Sequence, residues 1–475
     1  MSLTIRLSLS FMLLSLVVLT GCGSMTSGGA GPINGSFNNS SLSGSYTISF
    51  TGANQNGFLA VAGSFQANGS GTITGGTVDI NSGGGIFQNQ SITGTYNVHA
   101  NGQATATLIA SAGTFDIDFV LLSSSSGLVM RFDANSSASG TIALQTSSAF
   151  SLAALAGSFA FNVSGANAAG NGNPEASGGV FTVDSSGNLT SGVQDTNDFG
   201  TISSNVAMTP ANGAMTSPTN GRGTLAIGGR NFVYYVVNAN HMKLIEVDLA
   251  PALAGDAFRQ SGTAISGSFA FTIAGNTGAL FAAGGIINTD GAGNVLNTST
   301  EDVNNGGSVT ENIALSGTYS VAANGRGTLA LNGNTFAIYP STAGIQVIEI
   351  DTFAVASGAA FQQTGPFSNS SVQGNYGWDF TGEIGGANEI DSIAQFAATG
   401  AGSATGAVDF NNGGGLSNNL ALTGTYTIAA SGRGTATFQS QIGTQNIVFY
   451  VVNGTRVLFI DVDGGLVAVG ELDHQ

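Results

Sequence analysis

The sequence predicts an all-β chain of four tandem antiparallel units, each an up-and-down meander of about eight strands closing into a small barrel. Three observations carry that reading. Apolar and polar residues alternate with period two in "SYTISF", "TFDIDFVLL", "FVYYVV" and "VLFIDVD". Turn signals such as "ANGSG", "NTDGAGN" and "AANGRG" divide these runs at strand-like spacing. The whole pattern then recurs four times. An Ig-like β-sandwich is the alternative, but the chain holds one cysteine, so no unit carries an inter-sheet pair, and its single tryptophan, Trp378, falls in one copy.

Each unit opens on a glycine, a small polar residue and an aromatic: "LSGSYTISFTG", "LAGSFAFNVSG", "ISGSFAFTIAG" and "VQGNYGWDFTG". The opening glycines, Gly44, Gly157, Gly267 and Gly374, are 113, 110 and 107 residues apart. A central "GTY" strand follows in three copies and is lost from the second, whereas "NGRGTLAI" survives there. Each copy closes on an aspartate with a glutamine twelve residues later: Asp133 and Gln145, Asp248 and Gln260, Asp351 and Gln363, Asp463 and Gln475. The units are placed at residues 41–146, 152–261, 264–364 and 371–475. At the level of pattern, the "GSY…GTY…GRGT" rhythm resembles avidin-type and other calycin barrels. That resemblance implies a small closed barrel and brings over no ligand-contacting residue.

Residues 1–21 hold one cation, Arg6, and an apolar run from Leu7 to Leu19 that is short for a membrane-spanning helix. The run ends in Leu19-Thr20-Gly21-Cys22, which resembles the lipobox of bacterial lipoproteins. The resemblance implies a removed signal peptide (1–21), lipid such as palmitate on Cys22, and a membrane partner reached through that lipid. With Gly23 and Ser24 following, it implies a cell-envelope address, at the outer membrane or cell surface. Residues 22–40 are rich in Gly, Ser and Asn and read as a flexible tether.

Charge narrows the partners. Without residues 1–21 the chain keeps 26 acidic and 8 basic residues, a balance that repels phosphate backbones and argues against nucleic acid. Hydrophobic residues make up 42%, including 29 Phe, so several cores can be filled.

Three of the nine basic residues share the setting "GRGT": Arg222, Arg326 and Arg433. Each follows a hairpin signal and is expected to pair with an acid of its own unit, with Asp133, Asp248, Asp351 and Asp463 as the structural ion-pair candidates. Unit 1 carries Gln103 in place of the arginine, and Arg131 where the other units carry Glu246, Glu349 and Asp461. This reciprocal exchange suggests that the two positions are neighbours.

An Asp-x-Asn triplet recurs in every unit: Asp79 and Asn81, Asp195 and Asn197, Asp302 and Asn304, Asp409 and Asn411. Side chains two apart on a strand share a face, and their oxygens would suit calcium, the only cofactor the sequence suggests. One charge per site and the glycines that follow favour a turn motif instead. His99, His241 and His474 occupy different places in their units, and no catalytic motif is present, so an enzyme is not expected. The leading functional reading is a non-catalytic surface lipoprotein whose repeats act as an adhesive, recognition or spacer array, with a surface glycan or protein as ligand. A lipocalin-like carrier of small apolar ligands is the alternative, and a secreted hydrolase the remote one.

Overall fold

The computed structural model describes residues 35–475 apart from 84, 168–171, 211, 249, 386 and 387; Cys22 and the rest of the signal and lipid-attachment segment lie outside the described residues. Thirty-two strands run in four groups of eight. In units 1, 3 and 4 every strand pairs antiparallel with the next, and the eighth pairs with the first, closing the barrel. In unit 1, for instance, the first strand (Ser43–Asn54) lies between the second (Gly57–Asn68) and the eighth (Ser136–Leu144). The barrel wins over the sandwich because short hairpins keep each strand beside its predecessor.

Unit 2 has the same meander, but among the described residues no ladder joins its fourth strand (Thr201–Ala207) to its fifth (Arg222–Ile227). This is the copy that lost "GTY". Pro210 and Pro218 stand in the intervening segment and lack the N–H that a ladder needs. Met208, Ala214 and Met215 from that segment are buried and complete the interior instead.

The repeated letters now have physical roles. The "GTY" tyrosines point inward, and Tyr96, Tyr319 and Tyr426 donate to the carbonyl oxygens of Leu42, Ile265 and Val372. Each thereby ties the fourth strand to the start of its barrel. The opening aromatics Tyr46, Phe159, Phe269 and Tyr376 are buried in their own interiors. In the turn before each arginine, Gly221, Gly325 and Gly432 have φ of +83°, +87° and +90°, a region that favours glycine. The glycine after the arginine leaves room for a ring: a Cβ on Gly434 would come within 2.3 Å of Phe449, and one on Gly223 within 2.4 Å of Tyr234.

Every interior is filled by side chains. Trp378 is fully buried at the centre of unit 4, against Phe380, Phe396, Phe438 and Phe459, and donates to Ser392 Oγ at 2.9 Å. Unit 3 keeps a cavity of about 50 Å³ among Phe269, Phe271, Tyr319 and Phe336.

Four further apolar clusters lie between the barrels. Ala60 and Ala62 of unit 1 meet Val233, Tyr235 and Ile245 of unit 2. Ala160, Ala176 and Val180 of unit 2 meet Ala337, Tyr339 and Ile348 of unit 3. Ala270, Ala282 and Ile286 of unit 3 meet Val448, Tyr450 and Ile460 of unit 4. Finally Ile393 of unit 4 meets Val120, Leu128 and Met130 of unit 1. The four barrels therefore close into a ring with four seams.

Candidate functional sites at the seams and on the axis

The closing glutamines act as clasps around this ring. The side-chain amides of Gln145, Gln363 and Gln475 donate to the carbonyl oxygens of Val236, Val451 and Leu121, at 2.7, 2.7 and 2.8 Å. Gln260 donates to Asn324 O at 2.8 Å. Each glutamine thus reaches the next unit, and the last reaches the first.

The arginines correct the expectation drawn from the sequence. None pairs with an acid of its own unit; each crosses a seam to the Asp-x-Asn aspartate of the preceding unit. Arg222 meets Asp79 with two contacts of 2.8 Å. Arg326 meets Asp195 at 2.7 and 2.6 Å, and Arg433 meets Asp302 at 2.9 and 2.7 Å. The hairpin that carries the arginine lies on the outer wall facing the neighbour's third strand, so the neighbour's carboxylate is nearer than its own. A tyrosine from the following strand completes each site: Tyr235, Tyr339 and Tyr450 donate to the same three carboxylates. A backbone amide held at positive φ also donates, from Asn89, Asn205 and Asn312. The three aspartates are wholly buried, and such a carboxylate is tolerated because every lone pair is engaged.

The other ion-pair candidates serve their own units. Asp133 pairs with Arg131. Asp248 and Asp463 each accept from both the backbone and the side chain of an asparagine, Asn231 and Asn446, at 2.8 Å. Asp351 accepts from the amides of Thr335 and Phe353. These carboxylates fasten the end of one strand to the start of another. Nor do the exchanged positions of unit 1 meet: Arg131 finds Asp133, not Gln103.

The asparagines of the triplets are donors across the seams. Asn197 donates to the carbonyl oxygens of Glu349, Asp351 and Ala354, and Asn304 to those of Asp461 and Leu466. Asn81 reaches Glu246 O, and Asn411 of unit 4 reaches Arg131 O and Ser136 O of unit 1. The side-chain oxygens of Asn197, Asn304 and Asn411 accept from Gly200, Gly307 and Gly414 three residues on, as the turn reading expects. At Asp79, Asp195 and Asp302 the place that the calcium reading assigns to a metal holds a guanidinium. Those three sites, with Asn81, Asn197 and Asn304, join units.

Beneath the asparagines lie Glu246, Glu349 and Asp461, almost wholly buried. Burial pushes them up to about 8, 9 and 7 respectively, so Glu246 and Glu349 hold protons at neutral pH, while Asp461 titrates there.

The seam between units 4 and 1 differs. Gln103 and Val120 replace the arginine and tyrosine, and Asp118 stands where the other units carry Val233, Ala337 and Val448. Asp409 keeps the amide of Asn419.

A cavity of about 440 Å³ lies on the ring axis and is lined from all four units. Its polar residues are not repeated. Asp379 and Glu471 face each other across neighbouring strands of unit 4, where unit 2 has Asn162 opposite Asp256 and unit 1 has Ser49 opposite Thr141. Burial pushes Glu471 up to about 7 and Asp379 well above the usual carboxylate range. Burial also acts on Asp256, but Lys243 and His241 hold it at about 2. Lys243 is buried and donates to Thr141 Oγ1 at 2.7 Å, so this cation serves the seam.

Sequence reasoning missed the seam tyrosines, the positive-φ asparagines and the role of the glutamines. One signal was present: unit 1 lacks the arginine and the tyrosine together.

No family model matches the chain, and no curated protein matches it. Among solved structures it is similar to the crystal structure of kievitone hydratase from Nectria haematococca, at 10% identity over 69% of this chain and 91% of that one. The TM-score is 0.19, too low for the likeness to carry any inference about activity.

Proposed function

We propose that the chain is a non-catalytic, lipid-anchored protein of the cell envelope that presents a ring of four barrels as a recognition or adhesive platform. One observation supports this reading above others: the triplet asparagines and closing glutamines repeated in every unit are spent on joining units, while the interiors are filled. A cavity of about 50 Å³ in unit 3 is far below the several hundred Å³ of small-molecule pockets, which counts against a carrier. The axial acids and the lysine belong to single units, and Lys243 is tied to Thr141, which does not favour a hydrolase. Fixing four barrels in one ring presents four outer faces at set spacing, so weak contacts to a repetitive glycan or protein surface would add as avidity.

Palmitate labelling of cells expressing the chain, with Cys22→Ala beside it, tests the anchor. The purified protein is then screened for saturable binding on arrays of surface polysaccharides and envelope proteins, and for turnover of polysaccharides and esters. Binding without turnover is the expected result. Product formation at any substrate, or loading of apolar small molecules into the barrels, would overturn the reading.

A further inference from the structure

At three seams an arginine guanidinium caps a buried carboxylate, and at two of them it also meets a polar group nine residues beyond that carboxylate: Arg326 touches Asp195 and Ser204 Oγ, and Arg433 touches Asp302 and Glu311. The seam between units 4 and 1 keeps the acceptors and lacks the cation. Asp409 is in place, and Asn418 occupies the position of Ser204 and Glu311. The donors that cap the outer carboxylate oxygen elsewhere are gone, since Gln103 and Val120 replace the arginine and tyrosine.

A second carboxylate, Asp118, has been added. It is only 7% exposed, and among the described residues no hydrogen bond or ion pair engages it. In the other units the same position is apolar and packs into the seam: Val233, Ala337 and Val448. The replaced side chains leave a cavity of about 390 Å³, lined by His99, Asn101, Gln103, Asp118, Asp409 and Asn418. That volume is within the range of small-molecule sites. Two facing carboxylates without a counter-charge are costly, and burial together with Asp409 and Asp116 pushes Asp118 up to about 7.

We propose that the seam between units 4 and 1 binds a guanidinium-bearing ligand, gripped by Asp409 and Asp118 in the place that arginine fills at the other three seams. The planar fork suits a carboxylate already oriented for two parallel hydrogen bonds, as Asp79, Asp195 and Asp302 demonstrate. A small metal ion fits less well, because no group of three or more His, Cys, Asp or Glu among the described residues is placed to hold one. Asn418 supplies a neutral acceptor at the rim, beside Gln103, whose Oε1 accepts from Asn101 Nδ2 at 2.7 Å. The same chemistry could come from a free guanidinium compound or from an arginine side chain of a peptide. The inference stands whether or not the ring is a recognition platform.

The test is calorimetry and thermal melting of the full chain in detergent with agmatine, with a capped Gly-Arg-Gly peptide, with butylamine and with calcium chloride. Saturable binding of agmatine or the peptide, with a raised melting temperature, is expected; binding of the peptide alone assigns the source to a polypeptide. Asp118→Val restores the residue type of the other seams and should fold, yet weaken binding at least about tenfold. Gln103→Arg supplies the missing cation internally, and should raise the melting temperature while abolishing probe binding. Failure of both guanidinium probes, equal binding of butylamine or calcium, or unchanged binding in Asp118→Val and Gln103→Arg would overturn the proposal.

Discussion

Arg326 of unit 3 grips Asp195 of unit 2 with two hydrogen bonds of 2.7 and 2.6 Å, and the carboxylate beneath it is wholly inaccessible to solvent. Tyr339 and Ser204 complete its shell. Removing the cation would strand a buried charge. Arg326→Ala should therefore lower unfolding stability by about 3–5 kcal/mol, whereas Arg326→Gln with Asp195→Asn, which neutralises both partners, should lose less. Urea unfolding of Arg326→Gln, Asp195→Asn and the double variant measures the coupling. A near-zero coupling energy would contradict the structure.

The seam acids make stability depend on pH in a stated direction. Glu246 and Glu349 have folded values of about 8 and 9, above those of the unfolded chain. The native state therefore keeps protons that the unfolded state has lost, and the stability present below about pH 4.5 is lost as pH rises towards 9. Asp195 has the opposite shift: burial opposes its charge, but bonds from Arg326 and Tyr339 lower its value, so its contribution is lost only as pH falls through the acid range. The melting temperature should peak near about pH 5 and decline to pH 9. Glu349→Gln, at a position 1% exposed, should flatten the alkaline side of that curve and raise the melting temperature at pH 8.

The seam between units 4 and 1 has neither the ion pair nor the tyrosine, and its apolar cluster is Ile393 with Val120, Leu128 and Met130. It should open first. Hydrogen exchange is expected to be faster in Asn388–Thr399 and Gly113–Ser123 than in the corresponding Leu280–Thr289 and Gly443–Asn453 at the seam between units 3 and 4. Equal protection of the two seams would rule this ranking out.

Trp378 fills the centre of unit 4 with no exposed surface. Trp378→Ala should cost about 3–5 kcal/mol through the cavity it leaves, while Trp378→Phe should cost less. Chemical denaturation followed through the other aromatic residues reads the difference.

Much of the architecture was legible in one dimension. Period-two alternation, glycine turns and the repeated "GSY" and "GTY" letters are local consequences of strand geometry, so unit count, strand count and the closure of units 1, 3 and 4 could be read from them. The asparagine turn follows from local rules as well. The partners of Arg222, Arg326 and Arg433 could not be read in this way. Asp79, Asp195 and Asp302 lie more than a hundred residues upstream, in a different unit, and nothing in the local pattern says which wall of one barrel meets which wall of the next.

What the amino-acid order determined by itself was four β modules, each able to bury its own interior, because strand periodicity and turn chemistry act over a few residues. Only the tertiary structure decided that the modules form a ring, that their repeated charges and amides are fasteners between neighbours, and that Asp118 and Asp409 face one another with no arginine between them. Those contacts join residues distant in the chain, and docking geometry, not local preference, brings them within hydrogen-bonding reach.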